Sequence, residues 1–468
     1  MTAIDSTCAA IEVLENSNDM ALKYHAIWWL GKNKERRALH ILCHILNDSN
    51  EQTELGGFPL RRQAARSLGM ISAPESVPAL LKALESPDLR LQEAAILALR
   101  AIGDHSIIPE LIKYLNTANK EQPLEALIET LASFEVWDVA ETLRKYLNDD
   151  SKRIEGAACV YFYRMTKDRQ YLSALMRNLS DDNAFLRQSA AFDLAQCNDT
   201  TLNTKITAAR LPNNVKMAAL KQILETYVIG IPELELRIHS SNINAVIRGL
   251  LSDIDLLIID ATQGNLPTQN SSIASTAVKP SPLTTAKEHV IKLLLNNPAQ
   301  NEELLAILER GNELDCQLVC EACFKNEDQD IRAGIVQLLY FMDCTQAVPV
   351  LQDVIGLEIA NHCQGKLRRV ALLALGKLYH KLEQDKETQA SIQETLQWAL
   401  VSPDDWGLRY AAVMAYEAMA LCKPLDFDLC SETYSSCQTD KIIGLRMSFA
   451  ESTLCNAEVN QITAELMP

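Results

Sequence analysis

His362 and Cys363 stand side by side in the stretch Ala360-Asn361-His362-Cys363-Gln364-Gly365-Lys366, directly ahead of a strongly helical run. An imidazole titrates near neutrality and moves protons. A thiolate, its pKa lowered by a neighbouring His or a helix N-terminus, adds to electron-poor carbons. By residue type alone, two readings stand. The pair is a nucleophile and proton shuttle aimed at a reactive ligand, or it is two residues of a polar inter-helix turn in which Gly365 takes a special backbone angle.

Two other spacings invite chemistry. Cys316-x3-Cys320-x2-Cys323 matches a spacing that holds an iron–sulfur cluster in radical enzymes. The segment ELDCQLVCEACF has helical periodicity, however, which puts the three cysteines on one apolar face, where free Cys packs as a small hydrophobe. The α/β context of such clusters is also missing. His40 and His44 have the i, i+4 spacing of a metal pair, but no third ligand accompanies them, so solvated or core histidines are the preferred reading. No metal or cofactor is expected.

The elements that must position His362 and Cys363 come from a tandem repeat. Residues 77–103 (VPALLKALESPDLRLQEAAILALRAIG) are followed by IIPELIKYL at 107–115, with Pro78 and Pro109 at matching places. Residues 140–163 and 173–195 repeat the pattern. Each unit has a leucine-rich first helix and an Asp-containing loop (Asp88, Asp149, Asp182). An Arg follows (Arg90, Arg153, Arg187), and then a second helix rich in small residues. Two-helix units of roughly 30–40 residues are the signature of HEAT-type solenoids. The Asp is expected to cap the second helix and to join Arg in a ladder between neighbouring units. The fold class is therefore all-α, a HEAT-like solenoid. Sequence rich in Gly, Pro, Ser, Thr and Asn interrupts it at 262–285 and reads as a flexible linker. Three parts are expected: a solenoid at 1–261, the linker at 262–285, and a second solenoid at 286–468.

The two solenoids echo each other at an offset of 307. Leu60-Arg61-Arg62 matches Leu367-Arg368-Arg369, and an irregular insertion precedes each: ELGGF in one half, NHCQG in the other. Both insertions lie at a helix N-terminus, where backbone N–H groups favour anions.

Composition narrows the partners. The 468 residues are 48% hydrophobic and only 6% aromatic, and the net charge of −17 comes with no Lys/Arg block, which argues against nucleic acid. The N-terminus lacks a basic targeting region, and no stretch approaches about 20 apolar residues, so no membrane span is expected. A cytoplasmic location follows, with the 13 cysteines mostly reduced and no disulfide framework.

Tyr24-His25-Ala26-Ile27-Trp28-Trp29-Leu30-Gly31-Lys32 and Gly56-Gly57-Phe58-Pro59-Leu60-Arg61-Arg62 resemble the E subunit of the E/F-type phycobilin lyases. These are HEAT-repeat proteins that attach linear tetrapyrroles to cysteines of phycobiliproteins. The second half resembles the F subunit, and Asn361-His362-Cys363-Gln364-Gly365 resembles the NHCQG(N) motif of F subunits with isomerase activity. Lys366 departs from the usual final Asn and leaves His and Cys in place. The whole chain is thus similar to an E–F fusion, like the fused lyase-isomerases of marine cyanobacteria.

The resemblance implies a lyase-isomerase. Its substrate would be free phycoerythrobilin, joined by a thioether to a phycobiliprotein α subunit, that of R-phycocyanin, and isomerised to phycourobilin. His362 and Cys363 would be catalytic. Asn361, Gln364 and Gly365 would shape the motif around the bilin. Trp28 and Trp29 would stack on pyrrole rings, and Arg61, Arg62, Arg368 and Arg369 would hold the propionates. Adjacent Trp residues on a helix point about 100° apart, which sends one toward the core, and each Arg pair is expected to give one member to the repeat ladder. A plain bilin lyase, or a non-catalytic bilin or phycobiliprotein chaperone, are the competing readings.

Overall fold

The computed structural model describes residues 4, 6–48, 52–53, 57–117, 122–229, 231, 241–263, 281–296, 302–309, 315–356, 365–401, 405–420, 442–447 and 449–450. All regular structure among these residues is helical, as the 3.6-residue periodicity and low glycine content require. The chain divides into two compact units, Met1–Asp199 and Thr200–Pro468.

The first unit is a run of helix pairs. Its second helices are Met20–Lys32, Pro59–Ile71, Leu89–Ile102, Leu124–Ser133, Lys152–Thr166 and Ala184–Gln196. Most bury a stripe of Ala, Leu and Ile, Lys152–Thr166 buries Ala, Val and aromatic rings instead, and one core cluster runs from Ile4 to Phe162. Small residues set the helix spacing. A Cβ on Gly31 would lie 2.5 Å from Ser67 Oγ, so Met20–Lys32 and Pro59–Ile71 approach at a distance only glycine permits. Ser67 uses that proximity to donate a hydrogen bond to the Ile27 carbonyl, 2.8 Å away.

The loop aspartates behave differently from one another. Asp88 caps Leu89–Ile102, accepting from the backbone N–H groups of Arg90 and Leu91. The expected caps at Asp149 and Asp182 are corrected. Asp149 accepts instead from Ser151 N, while Ser151 occupies the cap. Asn183 caps Ala184–Gln196, one residue after Asp182. The cap lies two residues beyond Asp149 and one beyond Asp182, which moves each acid away from the first helical turn.

The ladder is real, but its members are mostly others. Arg62 pairs with Asp88, Arg100 with Glu129 and Arg153 with Glu125, each between successive second helices. Arg187 turns back to the carbonyls of Asp181 and Asp182 in its own loop.

In the second unit, Gln329–Met342, Gly365–Leu378 and Trp406–Ala420 stack as second helices. Gly376 against Ala415 repeats the close approach of Gly31 to Ser67. Helix Ser241–Gln263 packs on Gly365–Leu378 and Gln329–Met342, burying Ile247, Leu250, Leu251, Ile254 and Ile258. Its Asp255 accepts from the Tyr410 hydroxyl (2.7 Å) and from the Arg446 guanidinium (3.1 and 3.2 Å). Of the segment 262–285, residues 262–263 end this helix, Ser281 caps the next and Pro282–Leu294 is helical; 264–280 lie outside the described residues.

One cysteine pair departs from expectation. Cys316 and Cys344 form a disulfide, with Cα atoms 6.3 Å apart, joining the start of Cys316–Lys325 to the turn after Gln329–Met342. Cys320 and Cys323 are buried thiols, and burial pushes the Cys320 thiol up to about 11. The three cysteines therefore do not share one apolar environment.

Candidate functional site

The Arg61-Arg62 pair sits in the first turn of Pro59–Ile71, where Pro59 presets the helical backbone. The two guanidiniums diverge. Arg62 grips the Asp88 carboxylate side-on, Nε to Oδ2 at 2.7 Å and Nη2 to Oδ1 at 2.8 Å. Phe58 N also donates to Asp88. Burial alone would raise the Asp88 carboxyl. The hydrogen bonds from Arg62 and from the N–H groups of Phe58 and Leu91, with the Arg62 charge, outweigh it and hold the group below the usual range. Arg62 thus ties one second helix to the cap of the next.

Arg61 points elsewhere. Its Nε donates to the Leu46 carbonyl at 2.7 Å, and its guanidinium lies over the Phe58 ring at 4.9 Å. It also borders a half-open recess of about 250 Å³, with an apolar floor that includes Leu14 and Leu60 and a rim that carries Lys23, His44 and the acids Glu15 and Asp48. The apolar floor suits a ligand with a hydrocarbon body, and the rim offers both cationic and acidic side chains to its polar groups.

The tryptophans separate as a helix requires. Trp29 packs against the core. Trp28 faces outward, its ring stacked on His25 with centroids 5.4 Å apart and with Lys32 Nζ 4.7 Å from its centre. Met20 and Tyr24 continue this partly exposed row. Neither tryptophan lines the recess at Arg61.

In the second unit Gly365 opens Gly365–Leu378. Asn361, His362, Cys363 and Gln364 lie outside the described residues. The arginines behind them are placed. Arg368 Nε donates to the Ile355 carbonyl at 2.7 Å, and its guanidinium lies 5.3 Å from the centre of the Trp398 ring. Arg369 Nη2 donates to both oxygens of Asp405 at 3.0 Å. Asp405 in turn accepts from Gly407 N at the start of Trp406–Ala420. Two glycines crowd this ion pair. A Cβ on Gly407 would fall 2.6 Å from Arg369 Nε, and one on Gly365 would fall 3.0 Å from Nη2 and 3.1 Å from Asp405 Oδ2. The last residue of NHCQG is therefore seated against a half-buried ion pair that a larger residue would have to displace.

Of the four arginines, Arg61 is the one that borders this recess. Sequence reasoning missed Lys23 and His44 as lining of that recess. They lie on different helices from Leu14 and Leu60, so no spacing in the sequence signals the opening they share.

Two repeat descriptions match this chain: HEAT repeats at residues 58–132 and 108–195, and a PBS lyase HEAT-like repeat at residues 22–48. The bilin biosynthesis protein PecE of Mastigocladus laminosus is 43% identical over 223 residues, covering 47% of this chain and 82% of that protein. The chain belongs to the E-type phycobilin lyase family. The phycocyanobilin lyase subunit alpha of Nostoc sp. strain PCC 7120 is another relative of this lyase-family chain, 35% identical with 80% of its own length covered. A solved complex of CpcE and CpcF of phycocyanin lyase from Nostoc sp. PCC7120 aligns at 32% identity with a TM-score of 0.45, covering 54% of this chain and 94% of that one. These E-type relatives match 45–47% of the present chain, so much of it lies beyond them. No described helix of this lyase-family chain is long and apolar enough to cross a membrane.

Proposed function

We propose that this protein attaches phycoerythrobilin through a thioether to a cysteine of a phycobiliprotein α subunit, that of R-phycocyanin, and isomerises it to phycourobilin. Membership of the E-type family carries the lyase half of this reading. The isomerase half rests on His362 and Cys363 in an NHCQG motif, within a second solenoid that resembles the partner subunit.

The acceptor protein supplies the nucleophile. Its thiol adds to the exocyclic ethylidene carbon of ring A, and the lyase must bind an extended bilin and present that carbon, which is mainly positioning. Arg61 and Lys23 beside their apolar recess are suited to a propionate. Isomerisation moves the double bond from the methine bridge between rings A and B into ring A. One proton leaves and another is delivered, both within reach of an imidazole's chemistry. The Cys363 thiolate, by transient addition, would interrupt the conjugation while the protons move.

The test is to produce the full chain together with phycoerythrobilin and the acceptor α subunit, then record the spectrum of the denatured acceptor. A covalent phycourobilin adduct is expected. A covalent phycoerythrobilin adduct would leave a plain lyase, and absence of any adduct would leave a non-catalytic bilin or phycobiliprotein chaperone.

A further inference from the structure

Among the described residues, Cys159, Cys197, Cys320 and Cys323 are free thiols sealed in the core. Cys316 and Cys344 differ on both counts. They are bonded to each other across 28 residues of chain, with Cα atoms 6.3 Å apart, and both remain partly exposed. A bridge that solvent reaches is open to thiol–disulfide exchange, whereas a buried one is shielded from it. Cys316 is the first residue of Cys316–Lys325, and Cys344 follows Asp343, whose left-handed backbone ends Gln329–Met342.

The helix that the bridge fastens is thinly packed. Cys316–Lys325 buries Val319, Cys320 and Cys323 but leaves Leu318 38% and Phe324 54% exposed. Against Glu302–Glu309 it leaves a recess of about 160 Å³, lined by Leu304, Ile307, Leu318 and Ala322, so that neighbour does not fully back it. A ten-residue helix with three buried side chains has little packing of its own to resist local opening. The turn at the other end of the bridge is held from two sides. Asp343 pairs with Lys377 at 2.6 Å and Lys381 at 3.1 Å, and Ala347 and Val348 are buried just after it. Cys320, one helical turn from Cys316, does not compete for the bridge. Burial pushes its thiol up to about 11, so it stays protonated and is not a nucleophile.

We propose that Cys316 and Cys344 form a thiol–disulfide exchange site, a latch that fastens Cys316–Lys325 to the turn after Gln329–Met342 when oxidised and releases that helix when reduced. The co-reactant is a thiol reductant. Its thiolate adds to one sulfur of the bridge, forming a mixed disulfide and expelling the other cysteine as a thiolate, which takes up a proton. A second thiol of the reductant then resolves the mixed disulfide. The reductant leaves as its own disulfide, and a pair of electrons and a pair of protons have passed to Cys316 and Cys344. The bridge constrains the opened helix as a cross-link constrains any unfolded segment, so its loss favours the released form. The latch is independent of the bilin reading above.

The test equilibrates the full chain with reduced and oxidised glutathione at stepped ratios, traps thiols by alkylation, and follows amide hydrogen exchange by peptide mass. The bridge is expected to open within the range of ratios. On opening, exchange across residues 316–325 should rise by about tenfold or more while residues 329–342 change little. Cys316→Ser and Cys344→Ser should each show the fast exchange at every ratio. A bridge that stays closed throughout would make the pair a permanent staple and overturn the exchange site. Free thiols at both positions in oxidised glutathione would overturn it as well. Opening with no change in exchange across 316–325 would overturn the latch. Should a serine variant fail to fold, the titration of the parent chain still decides among these outcomes.

Discussion

Helices Pro59–Ile71 and Gly365–Leu378 begin with the same sequence grammar and use it to different ends. In each, the first arginine of the pair donates Nε to the last carbonyls of the preceding helix, and the second holds an aspartate at the start of the following helix. In the first unit the pair is side-on and the aspartate is nearly sealed, its side chain 3% exposed. In the second, one nitrogen serves both oxygens, Arg369 Nε has no partner among the described residues, and both side chains are 15% exposed. Arg61 borders a recess, whereas Arg368 is buried against Trp398. The comparison teaches that a shared helix-start device leaves one guanidinium at an open recess in one unit and sets the glycine of a motif beside an ion pair in the other.

The largest test of that division falls on the motif itself. Cys363→Ser and His362→Gln are each expected to load bilin onto the acceptor while delivering mostly unisomerised phycoerythrobilin, read from the denatured spectrum. Phycourobilin at the parent's yield from both variants would make NHCQG an ordinary turn.

Stability comes next. Arg62→Leu strands a buried carboxylate, and urea unfolding should register a loss of about 3–5 kcal/mol. Arg369→Leu breaks a single-ended pair whose aspartate is less completely sealed than Asp88, for which about 1–3 kcal/mol is expected. Equal losses would erase the distinction between the two helix starts.

Arg61→Gln and Arg368→Gln then sharpen the contrast in binding. Bilin affinity should fall about three- to tenfold for Arg61→Gln, as for one lost charge-assisted contact. It should stay unchanged for Arg368→Gln, whose effect should appear in the melting temperature. Reversal of that pattern would place the propionate contact in the second unit.

The smallest effect is in pH dependence, and it compares Asp88 with Asp193. The Asp88 carboxyl is held below its unfolded value, so its contribution is present above the ordinary carboxylate range and lost as the pH falls through the folded value. Asp193 is held above its unfolded value, so its penalty is absent in acid and grows as the pH rises through the ordinary range. Stability curves against pH should therefore show Asp88→Asn losing its cost in acid. Asp193→Asn should show a gain that appears only toward neutrality. Parallel curves for parent and variants would contradict both assignments.

The repeat was plain in the sequence because Pro78 and Pro109 punctuate it and alternating small and large apolar residues mark the packed faces. The division of labour between Trp28 and Trp29 was also legible, since adjacent helical residues cannot share a face. What the arginines hold was not. Arg62 reaches 26 residues ahead and Arg369 reaches 36, because the connections between the helices differ in length. Cap positions slipped for the same reason, by one residue at Asn183 and by two at Ser151, which stand closer to their helices than the acids that drew attention.

Helix Ser241–Gln263 carries a consequence for the genetics of the chain. Its buried face, from Ile247 to Ile258, belongs to the core of a unit most of whose other helices are encoded after residue 280. A gene divided within codons 264–280 would leave each product holding part of the other's interior, with Asp255 on one polypeptide and Tyr410 and Arg446 on the other. Such halves would complement each other in trans as obligate partners, and neither allele alone would yield a whole second unit. A division at codons 199 and 200 would respect the boundary that the folded chain draws for itself.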